Sequence, residues 1–153
     1  MAGLTLKAAV SIVEAALAAG REHSMMPLTV AVLDAGGQLV AFQREDGSGI
    51  LRPDIAIGKA WGALGMGQSS RVLRDRLADR ANFVSALAAA SDGRFVPVPG
   101  GVLIRDGGAV VGAVGISGDT SDKDEYCAVR GIRAAGLTPD PPEPSPDWAT
   151  SRL

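Results

Sequence analysis

The stretch Leu28-Thr29-Val30-Ala31-Val32-Leu33-Asp34-Ala35-Gly36-Gly37-Gln38-Leu39-Val40-Ala41-Phe42-Gln43-Arg44 decides the fold class. Residues 28–33 are a β-rich run. Asp34 to Gly37 form a turn, because an aspartate can hydrogen-bond its own backbone and glycines accept positive φ. Residues 38–44 return as a second strand, so the whole reads as a β-hairpin. Both strands carry apolar residues at odd and even positions, which predicts cover on both faces of the sheet.

Upstream of the hairpin, Thr5 can cap a first helix, and Leu6, Val10, Val13 and Leu17 recur at steps of four and three along one face. Lys7, Ser11 and Glu14 fall opposite. The pattern fades over residues 20–23, and Pro27 keeps Met26 out of a helical conformation. Downstream, residues 45–51 form a glycine-containing loop, and Pro53 suits the first turn of a second helix with Asp54 near its positive end. Residues 55–66 are apolar or small all round apart from Lys59, so this helix is expected to be buried. Its Ala56, Gly58, Ala60, Gly62, Ala63 and Gly65 would let a neighbour approach closely. Ser69 or Ser70 can cap a third helix, residues 82–90 suit a fourth, and Asp92-Gly93 break it. Residues 95–98 read as a short edge strand, since Pro97 and Pro99 cannot serve a central one.

A second hairpin follows, with Val102-Leu103-Ile104, the turn Asp106-Gly107-Gly108, and residues 109–117. The last helix spans residues 122–135, with Ala128, Val129, Ile132 and Ala135 inward. Beyond Gly136, five prolines between Pro139 and Pro146 predict an extended or disordered tail over 137–153, which Trp148 could dock. The order of elements implies an α+β domain over residues 4–136. Its centre is a mainly antiparallel sheet of about five strands with helices packed on it, not a doubly wound parallel sheet.

Composition narrows the function. With 153 residues, 46% hydrophobic and 21% charged, the chain is long enough for one real core and is not a disordered segment. Its net charge of -2, with acids interleaved among the arginines from Arg71 to Arg80, argues against nucleic-acid binding. Cys127 is the sole cysteine, so neither an intrachain disulfide nor a thiolate metal cluster can form. No signal-peptide pattern follows Met1 and no apolar run reaches the ~18 residues of a membrane span. The expectation is a cytoplasmic protein with no membrane partner.

Several residues invite chemistry. Lys59, alone among apolar neighbours, either binds or deprotonates a small carboxylated ligand or pairs structurally with a carboxylate such as Asp34 or Asp46. Gly112, Gly115 and Gly118 near a strand end permit either close approach of a ligand or tight strand–helix packing, and Ser117 lies among them. Their spacing is not a dinucleotide fingerprint. Ser117 has no evident histidine partner for a triad. Asp119, Asp122, Asp124 and Glu125 surround the last helix start, where capping by Asp122 and Glu125 is the plainer reading than a calcium loop. Arg44 ends a strand beside a loop and can clamp a carboxylate.

Taken together, Leu4-Thr5-Leu6, residues 30–39, Ile55-Ala56-Ile57-Gly58-Lys59-Ala60, and Gly112-Ala113-Val114-Gly115-Ile116-Ser117-Gly118 with Asp124-Glu125 downstream resemble the GlcG/HbpS family. That family includes the C-terminal domain of PduO-type proteins. The resemblance covers roughly residues 4–136. It implies a profilin-like fold, a homo-oligomer from dimer to octamer, and haem or another anionic small molecule as ligand. Some relatives would instead act as cofactor-independent catabolic enzymes on a small carboxylated metabolite, with Lys59 as base or anion anchor and the Gly115 to Gly118 amides stabilising an oxyanion. Under the resemblance, the ligand-binding candidates are Lys59, Arg44, Asp34, Gly115, Ser117, Gly118 and Asp124, with Asp124 a further partner for Lys59. His23, the only histidine, is a candidate haem ligand, with Tyr126 and Cys127 as alternatives. The sequence departs from the family pattern at Glu45-Asp46-Gly47-Ser48, at Trp61-Gly62 and at Leu103, in segments expected to border the ligand.

Overall fold

The structure is a computed structural model that describes residues 3–153; Met1 and Ala2, where the reading of the N-terminus began, lie outside it. Thr5 caps α1 (Leu6–Glu22) by accepting a hydrogen bond from the Ala8 amide. The first hairpin is β1 (Thr29–Asp34) and β2 (Leu39–Arg44). Asp34 Oδ1 accepts from the Gly36 and Gln38 amides, both at 3.0 Å, and Gly37 sits at φ 79° where a side chain would be strained. Then come α2 (Arg52–Met66), α3 (Ser70–Arg76) capped by Ser69, and α4 (Ala81–Ala90). The second hairpin is β3 (Gly101–Asp106) and β4 (Ala109–Ser117), followed by α5 (Ser121–Ala134) and β5 (Thr138–Asp140).

The five strands lie in the order β2-β1-β4-β3-β5, and every neighbouring pair is antiparallel. The two-residue period of the strands sorts the core into two layers. Val30, Val32, Val102, Ile104, Val114 and Ile116 pack with α1 and α5 on one face. Leu33, Leu103 and Ala113 pack with Ala60 and Ala63 of α2 on the other. The α+β class and the five-stranded antiparallel sheet agree with the sequence reading, and both faces are covered as the apolar strands required. Among the described residues, no helix is long and apolar enough to cross a membrane.

Four local expectations are corrected. Residues 95–98 are irregular, not an edge strand; the edge beside β3 is taken by β5 from the tail. Pro139 and Pro141 are buried, so the start of the tail belongs to the domain. In α1 the inward face is Ala9, Ile12, Val13, Ala16 and Ala19, whereas Leu6 and Val10 are exposed. Small residues let α1 approach α5 closely: a Cβ on Gly131 would lie 2.7 Å from the Ile12 carbonyl oxygen. Finally, α2 is buried over Ala56–Ala63 but not around its whole circumference, since Gly65 and Met66 are exposed.

Candidate functional site

The C-terminal end of β4, the start of β1 and the start of α2 meet at one end of the sheet. Thr29 pairs in register with both Arg44 and Ser117 there. Thr29 and Ser48 join their hydroxyls at 2.8 Å in a buried contact, and Arg44 Nη1 donates to the Ser48 carbonyl at 2.7 Å. From the first turn of α2, Arg52 Nη1 donates to Ser117 Oγ at 3.0 Å. Residues 45–51 are thereby stitched to the sheet. Exposed on this same end are Met26, at 62%, and Ile50 and Leu51, at 96% and 62%. A hollow of about 430 Å³ is lined by Leu17, Arg21, Pro27 and residues 43–46. Arg21 is bound on its inner side to Glu45 at 3.1 Å and to the Met25 and Met26 carbonyls.

Lys59 is sealed in the interior. Its Nζ donates to the Ile116 carbonyl at 2.8 Å and to Asp124 Oδ2 at 3.1 Å. Asp124 Oδ1 in turn accepts from the Asp119 amide. Lys59 rises from the α2 layer and Asp124 from the α5 layer, so their contact bolts the two together around the end of β4. The path exists because Gly100, at φ 124°, has no Cβ; one would sit 2.8 Å from the Lys59 nitrogen. Burial drives the Lys59 ammonium below its ordinary value, with Asp124 opposing, and burial lifts the Asp124 carboxyl to about 6, with Lys59 opposing.

The remaining sequence candidates separate clearly. Asp34 stands at the opposite end of β1, paired in register with Gly112, and its carboxylate closes the hairpin turn. Gly115 lies against α2, where a Cβ would fall 1.8 Å from the Ala56 carbonyl oxygen. At Gly118 a Cβ would meet the Pro27 carbonyl at 2.3 Å, so both glycines permit close packing of backbone on backbone. The last helix is capped by Thr120, not by Asp122. Arg52 and Thr29 were not singled out in the sequence, and Ser48 entered only within the departure at residues 45–48. The available signal was Arg52-Pro53-Asp54 at a helix start.

A second cluster adjoins this end through the short segment from His23 to Met26. His23 Nε2 and Tyr126 Oη share a hydrogen bond at 3.1 Å, and Arg130 donates to the same phenol oxygen. Trp148, from the tail, stacks on the Tyr126 ring at 3.6 Å and 12°. Cys127 points the other way, fully buried with its sulfur 3.4 Å from that of Met25, and burial pushes its thiol up to about 12.

Comparisons with known proteins agree with this architecture. A family model described as haem degrading protein HbpS-like matches residues 4–133. An uncharacterized 15.0 kDa protein from the dhaT-dhaS intergenic region of Citrobacter freundii is 31% identical over 128 residues, spanning 84% of this chain and 89% of that one. The crystal structure of a Streptomyces reticuli HbpS double mutant is 30% identical with a TM-score of 0.74, over 87% of each chain. A PduOC:heme complex has a TM-score of 0.80 at 24% identity, covering 89% of this chain and 97% of that one, and is alike in fold.

Proposed function

Because the chain belongs to the HbpS-like family of haem-degrading proteins, we propose that it binds haem, or a closely similar flat apolar ligand bearing carboxylates, at the loop end of the sheet, as a cytoplasmic homo-oligomer. The observation that carries this reading is the pairing of apolar and cationic groups there. Met26, Ile50 and Leu51 stand exposed, and the guanidiniums of Arg44 and Arg52 border them. A tetrapyrrole presents the matching surface, a broad apolar plane with carboxylates along one edge. Apolar area removed from water supplies most of the affinity, at about 25 cal/mol per Å². The guanidiniums orient the ligand through charge-assisted hydrogen bonds. Haem adds iron, and His23 and Tyr126, which share a hydrogen bond in the adjoining cluster, are the candidate donors. Lys59 and Asp124 in this reading brace the layers and do not touch the ligand.

Titration with hemin tests it. A saturable, shifted Soret band is expected. Arg44→Ala and Ile50→Asp should each weaken binding by about tenfold, the loss of one charged hydrogen bond or one apolar anchor. A linear, unsaturable response, or equal affinity in both variants, would remove the ligand from this end.

A further inference from the structure

We infer that the hollow between the C-terminal half of α2 and the end of α4 is a second ligand site, which takes a small aromatic carboxylate with its ring inside and its carboxylate on Arg94. The hollow measures about 200 Å³ and is walled by Trp61, Met66, Leu87 and Phe95. Drug-sized ligands occupy pockets of ~300–1,000 Å³, so this one holds a single ring with a short arm and excludes a tetrapyrrole. Glycines make the space. A Cβ on Gly62 would lie 2.8 Å from the Phe95 ring, so only glycine lets that ring lie against α2. A Cβ on Gly65 would meet nothing nearer than the Trp61 ring at 3.7 Å, and the hollow stays open there.

The lining is apolar inside and cationic at its border. Ser91 brings its only hydroxyl, which donates to the Ala88 carbonyl at 3.2 Å. The Trp61 indole nitrogen lies on the side of Gly37, in the first hairpin turn. Arg94 is exposed and joins two lining residues: its guanidinium rests on the Trp61 ring at 4.1 Å, and its Nε donates to the Ser91 carbonyl at 2.9 Å. These contacts fix the guanidinium beside the hollow and leave Nη1 and Nη2 for an anion. Among the described residues, no carboxylate forms an ion pair with Arg94. From Ala81 to Ala90, α4 carries no charge, and none of its residues is fully buried. A surface helix ordinarily turns a polar face to water, so an apolar occupant beside Leu87 covers what the chain leaves open. Trp61 and Phe95 favour a ring over an alkyl chain, because aromatic pairs gain beyond their area alone.

Phenylacetate is the probe, titrated into the full chain by calorimetry. Trp61 emission is followed in Trp148→Phe, which leaves one tryptophan. Saturable binding with a shifted Trp61 emission is expected. Phenylacetamide, the neutral counterpart, should bind about tenfold more weakly, and acetate should not saturate. Arg94→Met should weaken phenylacetate about tenfold and leave phenylacetamide unchanged, which a merely structural role for Arg94 would not do. Gly65→Leu fills the open side and should abolish binding with an unchanged circular dichroism spectrum. No saturable phenylacetate binding, or equal affinity in Arg94→Met, would overturn the site. Hexanoate binding as tightly as phenylacetate would overturn its aromatic preference. Trp61 emission that changes on dilution without ligand, and ignores phenylacetate, would give the hollow to a second copy of the chain. The haem reading stands or falls separately. Helical rise places Trp61 roughly 14 Å along α2 from Arg52, so Gly65→Leu should bind hemin as the wild type does.

Discussion

Lys59 and Asp124 are almost wholly withdrawn from water, at 2% and 1% exposure, and burial pushes each towards its neutral form. Removing one partner strands the other as an unpaired buried ion, which costs about 3–5 kcal/mol, whereas replacing both by apolar groups is far milder. Lys59→Met should therefore lower unfolding stability in urea by about that amount. Lys59→Met combined with Asp124→Leu should recover most of the loss. Additive losses in the double variant would show that the two groups do not act as a pair. The prominence of Lys59 was legible, because no other charge lies between Ile55 and Met66. The partner was not singled out: Asp34, Asp46 and Asp124 stood as alternatives. Only the folded path past Gly100 and the end of β4 selects Asp124, 65 residues away. Arg44 was legible as a strand-end cation; Arg52 was obscured by its place before Pro53, where it read as part of a helix start.

At the scale of elements, the proline-rich tail shows what periodicity cannot convey. Its prolines signalled extension, but its attachment depends on side chains of other elements. Arg105 pairs with Asp140 at 2.9 Å, Arg71 donates to the Glu143 carbonyl, and Glu125 Oε1 accepts from the Ser145 amide at 3.2 Å. Glu125 is fully buried, close to Arg71 at 3.2 Å and near Asp122 and Arg74. Burial, which Arg71 only partly offsets, lifts its carboxyl to about 7. The native state thus keeps this proton to about pH 7, while the unfolded chain releases it near 4.5. Between those values the native state binds more protons, so this group's contribution to stability falls as pH rises, by up to about 3 kcal/mol. Urea midpoints of wild type and Glu125→Gln should diverge between pH 5 and 8, with Gln flattening the decline. Parallel curves would contradict the assignment. The hairpins were legible for the opposite reason, since their turn chemistry is local in sequence. The facing of α1 is not legible from Leu6 and Val10, because its buried face is made by Ile12 and Val13 among the small residues Ala9, Ala16 and Ala19.

For the whole molecule, β2 is an edge strand whose outer side is unpaired in the single chain. Phe42 and Leu39 are exposed on it, and Leu6 and Val10 of α1 border the same side. Leu6, Val10, Val40, Ala41 and Phe42 line one shallow hollow there of about 180 Å³. An open strand edge flanked by apolar side chains is a template for association unless something covers it. A second copy of the chain is the cover the homo-oligomer reading requires. Light scattering after size exclusion should give a multiple of the monomer mass for the wild type. Phe42→Glu should shift it to monomer with an unchanged circular dichroism spectrum, because Phe42 is at the surface and carries little of the core. A monomeric wild type at micromolar concentration would count against a second copy on this edge. The same variant separates assembly from ligand binding. Met26, Ile50, Leu51, Arg44 and Arg52 at the loop end all come from one chain, so a Phe42→Glu monomer should retain saturable hemin binding. Loss of that binding together with the oligomer would mean that the ligand site is completed across the interface.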